Sequence, residues 1–325
     1  MDFTIIVTVG PSILSKIDKL LEIQHAGPCI FRLNGAHCSP EQLKIYNKVI
    51  RSVIPQARMM IDLPGNKIRT ANLPNKIQFM RGETITLWDT NFNYTGFPAM
   101  VKPGDEILAN DSNLCFIVEK ADDKSMLLRA EHSGELISGK GMHIPGITIK
   151  LPFLFQADID LINAAAEANL DYISLSYVRN AEDITQVKKL LAELNYAPEF
   201  IAKIETSSAL KNLDEILDEI EIVNIDRGDL SSDIGLIRIA QSQSEVITAC
   251  KTRRKDVFLA TQCLKNMETR PIPLIPEIID LSSSIQQGIS GVQLSEETAV
   301  GLYPVECIHL VWQVYHHINT QSLNR

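Results

Sequence analysis

Two short runs in the middle of the chain deliver charge directly after extended backbone. Phe200–Ile204 is apolar and closes on Lys203, Ile204 and Glu205. Ile220–Ile225 is rich in β-branched residues and runs straight into Asp226, Arg227, Gly228 and Asp229. Between them, Ser207–Ile220 carries Leu210, Leu213, Ile216 and Leu217 at helical spacing, with Asp214, Glu215, Asp218 and Glu219 interposed. A strand, a helix and a strand, each strand ending in charge, predict the C-terminal rim of a parallel barrel or sheet, where active sites lie. Two carboxylates on adjacent strand ends, one from each run, suit a hard divalent cation such as Mg2+ (or Mn2+) with open positions for a substrate. Lys203 beside them would stabilise a developing anion. The competing reading is a surface helix flanked by solvated charges, because strand-end carboxylates are frequent.

The rest of the chain decides between the two. Apolar strands are predicted at Thr4–Val9, Cys29–Leu33, Met59–Leu63, Asp171–Tyr177, Val257–Ala260 and Gly291–Leu294, in addition to the central two. Helices are predicted at Ile13–His25, Pro40–Ile54 (with Ser39 as N-cap), Asp158–Ala168, Ala181–Leu194, Ile234–Ala249, Glu277–Gln287 and Pro304–Ile318. From Ile68 to about Lys150 the rhythm changes to short alternating runs (Thr84–Trp88, Glu106–Leu108, Cys115–Val118, Ser125–Arg129) broken by glycines. The reading is α/β: a (β/α)8 TIM barrel with a small all-β lid domain inserted after the third strand. Residues 1–69 and 151–325 form the barrel and 70–150 the insert, which leaves a body near the usual size of about 250 residues. In a barrel of this kind Arg32, Asp62, Arg69, Lys203, Glu205, Asp229, Thr261 and Ser295 all face one rim. Such a convergence of cations, carboxylates and hydroxyls suits an anionic, phosphate-bearing substrate bridged by a metal.

Composition narrows the class further. Hydrophobic residues make up 45% of the chain, ample for a core. No run of about eighteen apolar residues and no secretory pattern occurs, so a soluble, cytoplasmic protein without membrane partners is expected. The six cysteines contain no CxxC pair, which argues against a zinc site or a disulfide framework. A formal charge of −9 makes nucleic acid an improbable partner, although local charge at a site overrides the net value. Trp88 and Trp312 read as packing residues.

Along nearly its whole length the chain resembles the pyruvate kinase family. Thr8-Val9-Gly10-Pro11-Ser12 resembles that family's T-I-G-P-A/S, and Arg32-Leu33-Asn34-Gly35-Ala36-His37 its R-x-N-F-S-H. Asp62 through Thr70 (DLPGNKIRT) is similar to D-T/L-x-G-P-E/K-I-R-T, and Lys140-Gly141 with Pro145-Gly146 to K-G-V-N-x-P-G. Lys203-Ile204-Glu205 matches K-I-E. Arg227-Gly228-Asp229-Leu230 matches the end of A-R-G-D-L, with Asp226 in place of the alanine. Ala260-Thr261-Gln262-Cys263-Leu264 resembles A-T-Q-M-L, and Leu294-Ser295-Glu296-Glu297-Thr298-Ala299 resembles L-S-G-E-T-A. The resemblance implies phosphoryl transfer from phosphoenolpyruvate to ADP. It implies that Glu205 and Asp229 hold Mg2+, and that Gly228, Asp229 and Thr261 take the substrate carboxylate. Arg32 and Lys203 would then grip the phosphoryl group, while Asn34, His37, Arg69 and Lys140 face the nucleotide. Thr261 and Ser295 would lie on the proton path from enolate to ketone.

Departures from the family pattern carry their own expectations. Ala36 replaces a serine of the family's monovalent-cation site, and Lys67 stands where potassium-dependent members carry glutamate. Lys67 would thus supply in place the charge that K+ brings, and K+ is expected not to be required. The chain stops at Arg325, before the domain that carries the family's sugar-phosphate effector site, so no activation of that kind is expected. Leu274 and Ile275 stand at a family subunit contact that commonly holds Thr-Arg, and a homo-oligomer smaller than the family's tetramer is expected. Two other functions share parts of the pattern. A metal-dependent pyruvate-enolate lyase or aldolase would use the carboxylate pair but not Arg69, and a phosphoenolpyruvate sensor would bind without turnover.

Overall fold

The structure, a computed structural model, describes residues 2–14, 17–110, 113–144, 147 and 150–323, without the side chains of 321–323. Pro145 and Gly146 of the glycine-proline motif lie outside the described residues. In chain order the strands are β1 (Thr4–Thr8), β2 (Cys29–Asn34), β3 (Met59–Asp62), β4 (Ile77–Phe79), β5 (Thr84–Trp88), β6 (Glu106–Ala109), β7 (Leu114–Ala121), β8 (Ser125–Ala130), β9 (Gly134–Leu136), β10 (Met142–His143), β11 (Tyr172–Leu175), β12 (Glu199–Ile204), β13 (Ile222–Asp226), β14 (Asp256–Ala260) and β15 (Gly291–Leu294). The helices are α1 (Pro11–Leu14), α2 (Asp18–Ala26), α3 (Pro40–Val53), α4 (Gln156–Ala168), α5 (Ala181–Glu193), α6 (Ser207–Lys211), α7 (Leu213–Glu219), α8 (Arg227–Ile234), α9 (Ile239–Thr252), α10 (Ile275–Gln287), α11 (Glu296–Ala299) and α12 (Pro304–Leu323).

The eight predicted strands pair in parallel and close in the order β1-β15-β14-β13-β12-β11-β3-β2, a (β/α)8 barrel. Its interior is layered, and the layers follow from the two-residue period of a strand. Ile6, Ile30, Met60, Tyr172, Ile201, Ile222 and Phe258, one from each of seven strands, form a buried apolar plug. On the remaining strand, Gly291 leaves room for the Phe258 ring. A Cβ there would stand 2.6 Å from that ring and 1.8 Å from the Thr4 carbonyl oxygen. Two residues further along most of the same strands stand Thr8, Arg32, Asp62, Ser174, Lys203 and Asn224, all buried. Another step adds Glu205 and Asp226. Period and register thus stack a charged layer on an apolar one.

Local chemistry sets the helix ends. The Ser39 hydroxyl accepts the Gln42 N–H at 3.3 Å and the Ser39 N–H donates to Gln42 Oε1 at 2.9 Å, so the predicted N-cap is a full capping box. The single helix expected over Ser207–Ile220 is two, broken at Asn212, whose side-chain amide donates to the Arg179 carbonyl at 2.9 Å. The expected Ile13–His25 helix also divides, with α1 ending at Leu14 and α2 beginning at Asp18. Helix α9 starts at Ile239 rather than Ile234. Ahead of it lies the unpredicted α8, whose Gly, Ser and Asp content has poor helix propensity and which buries only Leu230. Trp312 is buried against Phe3 as expected, with ring centroids 5.6 Å apart. Trp88, by contrast, is 56% exposed, because the Ile85 and Leu87 parity of β5 takes the core face.

The chain divides into two compact units. The first comprises Met1–Gly65, Phe153–Ser231 and Ile237–Arg325, and contains the barrel. The second comprises Asn66–Pro152 and Ser232–Leu236. In it an antiparallel sheet of order β10-β6-β7-β8-β5 accompanies the two-stranded pair β4-β9. Among the described residues no helix is long and apolar enough to cross a membrane.

Candidate active site

Strand β12 points Ile201, Lys203 and Glu205 to one side, and that parity delivers Lys203 onto the apolar plug. Lys203 is 5% exposed. Its Nζ lies 2.6 Å from Glu205 Oε1, 3.0 Å from Asp226 Oδ2 and 3.6 Å from Asp62 Oδ2. It also donates to Ser176 Oγ at 3.3 Å. Burial alone would lower the Lys203 pKa, but Asp62, Glu205 and Asp226 outweigh it and hold it well above the ordinary value. Lys203 is therefore a cation throughout the physiological range.

Arg32 at the end of β2 makes the second cation. Its Nε and Nη2 both donate to Asp62 Oδ2, at 2.8 and 2.6 Å, and its Nη1 donates to Thr8 Oγ1 at 2.7 Å. Asp62 thus joins the two cations through one carboxylate. The sequence places Asp62 on the rim among the converging charges and suggests no individual role for it.

The carboxylates differ in environment. Glu205 is fully buried, and burial, the largest influence, raises its pKa against the pull of Lys203. Its Oε2 accepts the Tyr177 N–H at 2.9 Å, and its Oε1 pairs with the Lys203 ammonium at 2.6 Å. For Asp226 burial also pushes upward, but Lys203 and the Thr261 hydroxyl prevail and hold it well below the usual carboxylate range. Thr261 Oγ1 donates to Asp226 Oδ1 at 2.6 Å. Asp226, named in the sequence as a strand-end charge and a departure from a motif but given no role, is thus in direct contact with two of the predicted site residues. The signal was present: Ile222, Asn224 and Asp226 share one parity on β13, beside that of Lys203 and Glu205 on β12.

The turn after β14 is strained. Thr261 has φ +74° and Gln262 φ +56°, a left-handed conformation that costs a β-branched residue about 1–2 kcal/mol. Arg227 holds it in place, donating to the Thr261 carbonyl from Nε at 3.1 Å and Nη2 at 2.7 Å while Nη1 pairs with Asp280 at 2.5 Å. Gly228 packs against the same turn, where a Cβ would come within 3.0 Å of Thr261 Cγ2. Asp229 lies in the first turn of α8, the electropositive end of a helix.

Oxygen atoms of Glu205, Asp226 and Asp229 lie within 4.8 Å of one another. The donor set is all carboxylate. That fits a hard divalent cation such as Mg2+ or Mn2+ and not zinc, which prefers sulfur and imidazole.

The other predicted residues stand in both compact units. Asn34 ends β2, and its Oδ1 accepts the Ala36 N–H at 3.1 Å, closing the turn that leads to the exposed His37. Ser295 follows β15, and its N–H donates to Glu297 Oε2 at 2.8 Å. The buried Glu297 also takes the Leu264 N–H at 3.2 Å, which ties the segments after β14 and β15 together. Arg69, Lys140 and Lys67 belong to the second unit. There the Thr70 N–H donates to the Lys140 carbonyl at 2.8 Å, Arg69 bridges Gly141, and the Lys67 stem lies where a Gly141 Cβ would be, 2.5 Å away.

A parallel barrel whose strand ends gather two buried cations, an oxygen-donor set and a strained hydroxyl turn defines a (β/α)8 enzyme with its site at the C-terminal rim. Residues 2–308 match the family model for the pyruvate kinase barrel domain. The pyruvate kinase of Methanocaldococcus jannaschii is 32% identical over 313 residues, covering 95% of this chain and 68% of that protein. Those of Methylorubrum extorquens and Borreliella burgdorferi are each 30% identical, covering 98% and 96% of this chain and 69% and 67% of theirs. The chain belongs to the pyruvate kinase family and is an enzyme of the kinase class, and it spans about two thirds of the length of these relatives.

Proposed function

We propose that the chain transfers the phosphoryl group of phosphoenolpyruvate to ADP, giving pyruvate and ATP, with Mg2+ held by Glu205 and Asp229. The carrying observation is Lys203, a buried cation on the barrel axis side of β12, held between three carboxylates and next to Arg32's anchor Asp62. Phosphoryl transfer asks little covalent work of a protein and much positioned charge. Lys203 and Arg32 receive the phosphoryl oxygens. The Gly228 and Asp229 N–H groups and Thr261 orient the substrate carboxylate. Asn34, His37, Arg69 and Lys140 are assigned to the nucleotide phosphates. As the bond from phosphorus to the enol oxygen breaks and that to the ADP β-phosphate oxygen forms, Lys203 stabilises the shifting negative charge. The enolate left behind takes a proton at carbon along a path that includes Thr261 and Ser295. When bound, Mg2+ would neutralise charge on the phosphoryl and enolate oxygens.

Lys67 carries the second part of the proposal. With alanine at 36 and an ammonium at 67, the enzyme needs no K+. Pyruvate formation measured in tetramethylammonium buffer, with and without K+, should be the same within about twofold for the wild type. Lys67→Glu should lose most activity in K+-free buffer. Strict K+ dependence of the wild type would refute the role of Lys67 and leave the kinase assignment standing. No turnover in either buffer, with phosphoenolpyruvate still bound, would favour a sensor.

A further inference from the structure

Asp226 engages both groups that the proposed reaction needs for its anionic substrate. A threonine hydroxyl has one proton, and Thr261 gives it to Asp226 Oδ1 at 2.6 Å, leaving only lone pairs for a ligand. Lys203 Nζ is 3.0 Å from Asp226 Oδ2, with Glu205 and Ser176 taking further protons. Charge points the same way. Among the described residues, Arg32 and Lys203 are the cations of this cluster, and the buried Asp62, Glu205 and Asp226 with the half-buried Asp229 are its carboxylates. An anion entering alone meets a net negative site with little water to screen it. A divalent cation meets three carboxylates whose oxygens lie within 4.8 Å of one another. One of those carboxylates, Glu205, is fully buried, and its Oε1 faces the Lys203 ammonium at 2.6 Å.

We infer that Asp226 makes this a cation-first site. It would serve with Glu205 and Asp229 as a third carboxylate for a divalent ion, and with Asp226 so engaged, Thr261 and Lys203 would be open to the substrate's anionic end. The order of binding is then set by one side chain. Asp226 is a positioning residue here: it competes with substrate for Thr261 and Lys203 until the ion is present. The inference rests on the phosphoenolpyruvate reading only for the identity of the anion.

The test is calorimetric titration of the full chain with Mn2+ alone, and with phosphoenolpyruvate with and without Mn2+. It is run on the wild type, on Asp226→Asn, which keeps the shape and a hydrogen-bond acceptor, and on Asp226→Ala. The wild type should bind Mn2+ alone and phosphoenolpyruvate only when Mn2+ is present. Both variants should bind Mn2+ about 10- to 100-fold more weakly, the range for losing a carboxylate that supports a metal. They should also gain measurable affinity for phosphoenolpyruvate without metal. Mn2+ affinity in Asp226→Asn within about twofold of the wild type overturns the role of Asp226 and leaves the proposed reaction untouched. Equal affinity of the wild type for phosphoenolpyruvate with and without Mn2+ overturns the binding order, and needs no variant to show it. Failure of the wild type to bind Mn2+ at all overturns both the inference and the assignment of Glu205 and Asp229.

Discussion

Two layers of one barrel interior, one to two strand periods apart, obey opposite rules. In the lower layer Ile6, Ile30, Met60, Tyr172, Ile201, Ile222 and Phe258 exclude water and contribute through burial, roughly 1.5–3 kcal/mol for each large side chain. In the upper layer Arg32, Asp62, Lys203, Glu205 and Asp226 are just as inaccessible, yet they are charged. Buried ion pairs gain little over an apolar replacement, because desolvation cancels most of the attraction. The lower layer is therefore explained by stability. The upper one is explained only by chemistry, since apolar side chains in place of the whole charged cluster would serve the fold as well or better.

Substitution should separate the layers. Lys203→Ala is expected to lower the rate of phosphoryl transfer about 10^3-fold, read as initial rates normalised to folded protein. Phe258→Ala should do the reverse. It removes a fully buried ring from the plug and should cost about 3–5 kcal/mol in urea unfolding, while kcat in the cold, where the variant remains folded, stays near that of the wild type. A loss of kcat in Phe258→Ala as large as that in Lys203→Ala would break the distinction.

A third kind of buried group sharpens it. Asp158, at the start of α4, is fully buried and takes the Gly65 and Phe155 N–H groups at 2.9 and 2.8 Å. Burial, the largest influence, pushes its pKa up to about 6, against those two hydrogen bonds. The folded state therefore binds this proton more tightly than the unfolded chain. Its carboxylate costs nothing below the ordinary aspartate value near 4 and increasingly more as pH rises to about 6, with the full cost above that. The displacement corresponds to roughly 3 kcal/mol. Stability of the wild type relative to Asp158→Asn should accordingly fall between pH 4 and pH 7 in parallel urea titrations. A difference that does not change with pH would show that the carboxylate is not penalised. The smallest effect is expected at the strained turn. Gln262→Gly relieves a left-handed residue and should add about 1 kcal/mol to stability with little change in KM.

The layering explains what could be read from the residues alone. Strand positions, barrel closure and the roles suggested for Lys203 and Glu205 follow from apolar runs that end in charge, a signal local to each strand. Asp62 and Asp226 were harder, because their importance lies in which strand stands next to which. Only closure of β2, β3, β12 and β13 brings Asp62 between Arg32 and Lys203, and Asp226 between Lys203 and Thr261. The positive φ at Thr261 has no local marker, since a β-branched residue is disfavoured there and is held by Arg227 from another strand end. Helix α8 escaped for the opposite reason: glycine, serines and aspartates read as a loop, and tertiary context overrides that weak preference.

If the charged layer moves a phosphoryl group, phosphorus NMR follows that group directly. Phosphoenolpyruvate, ADP and Mg2+ incubated with the wild-type chain should lose the phosphoenolpyruvate resonance and gain the γ-phosphate resonance of ATP, with Lys203→Ala close to the enzyme-free control. Persistence of phosphoenolpyruvate, or its conversion to inorganic phosphate without ATP, would contradict the account.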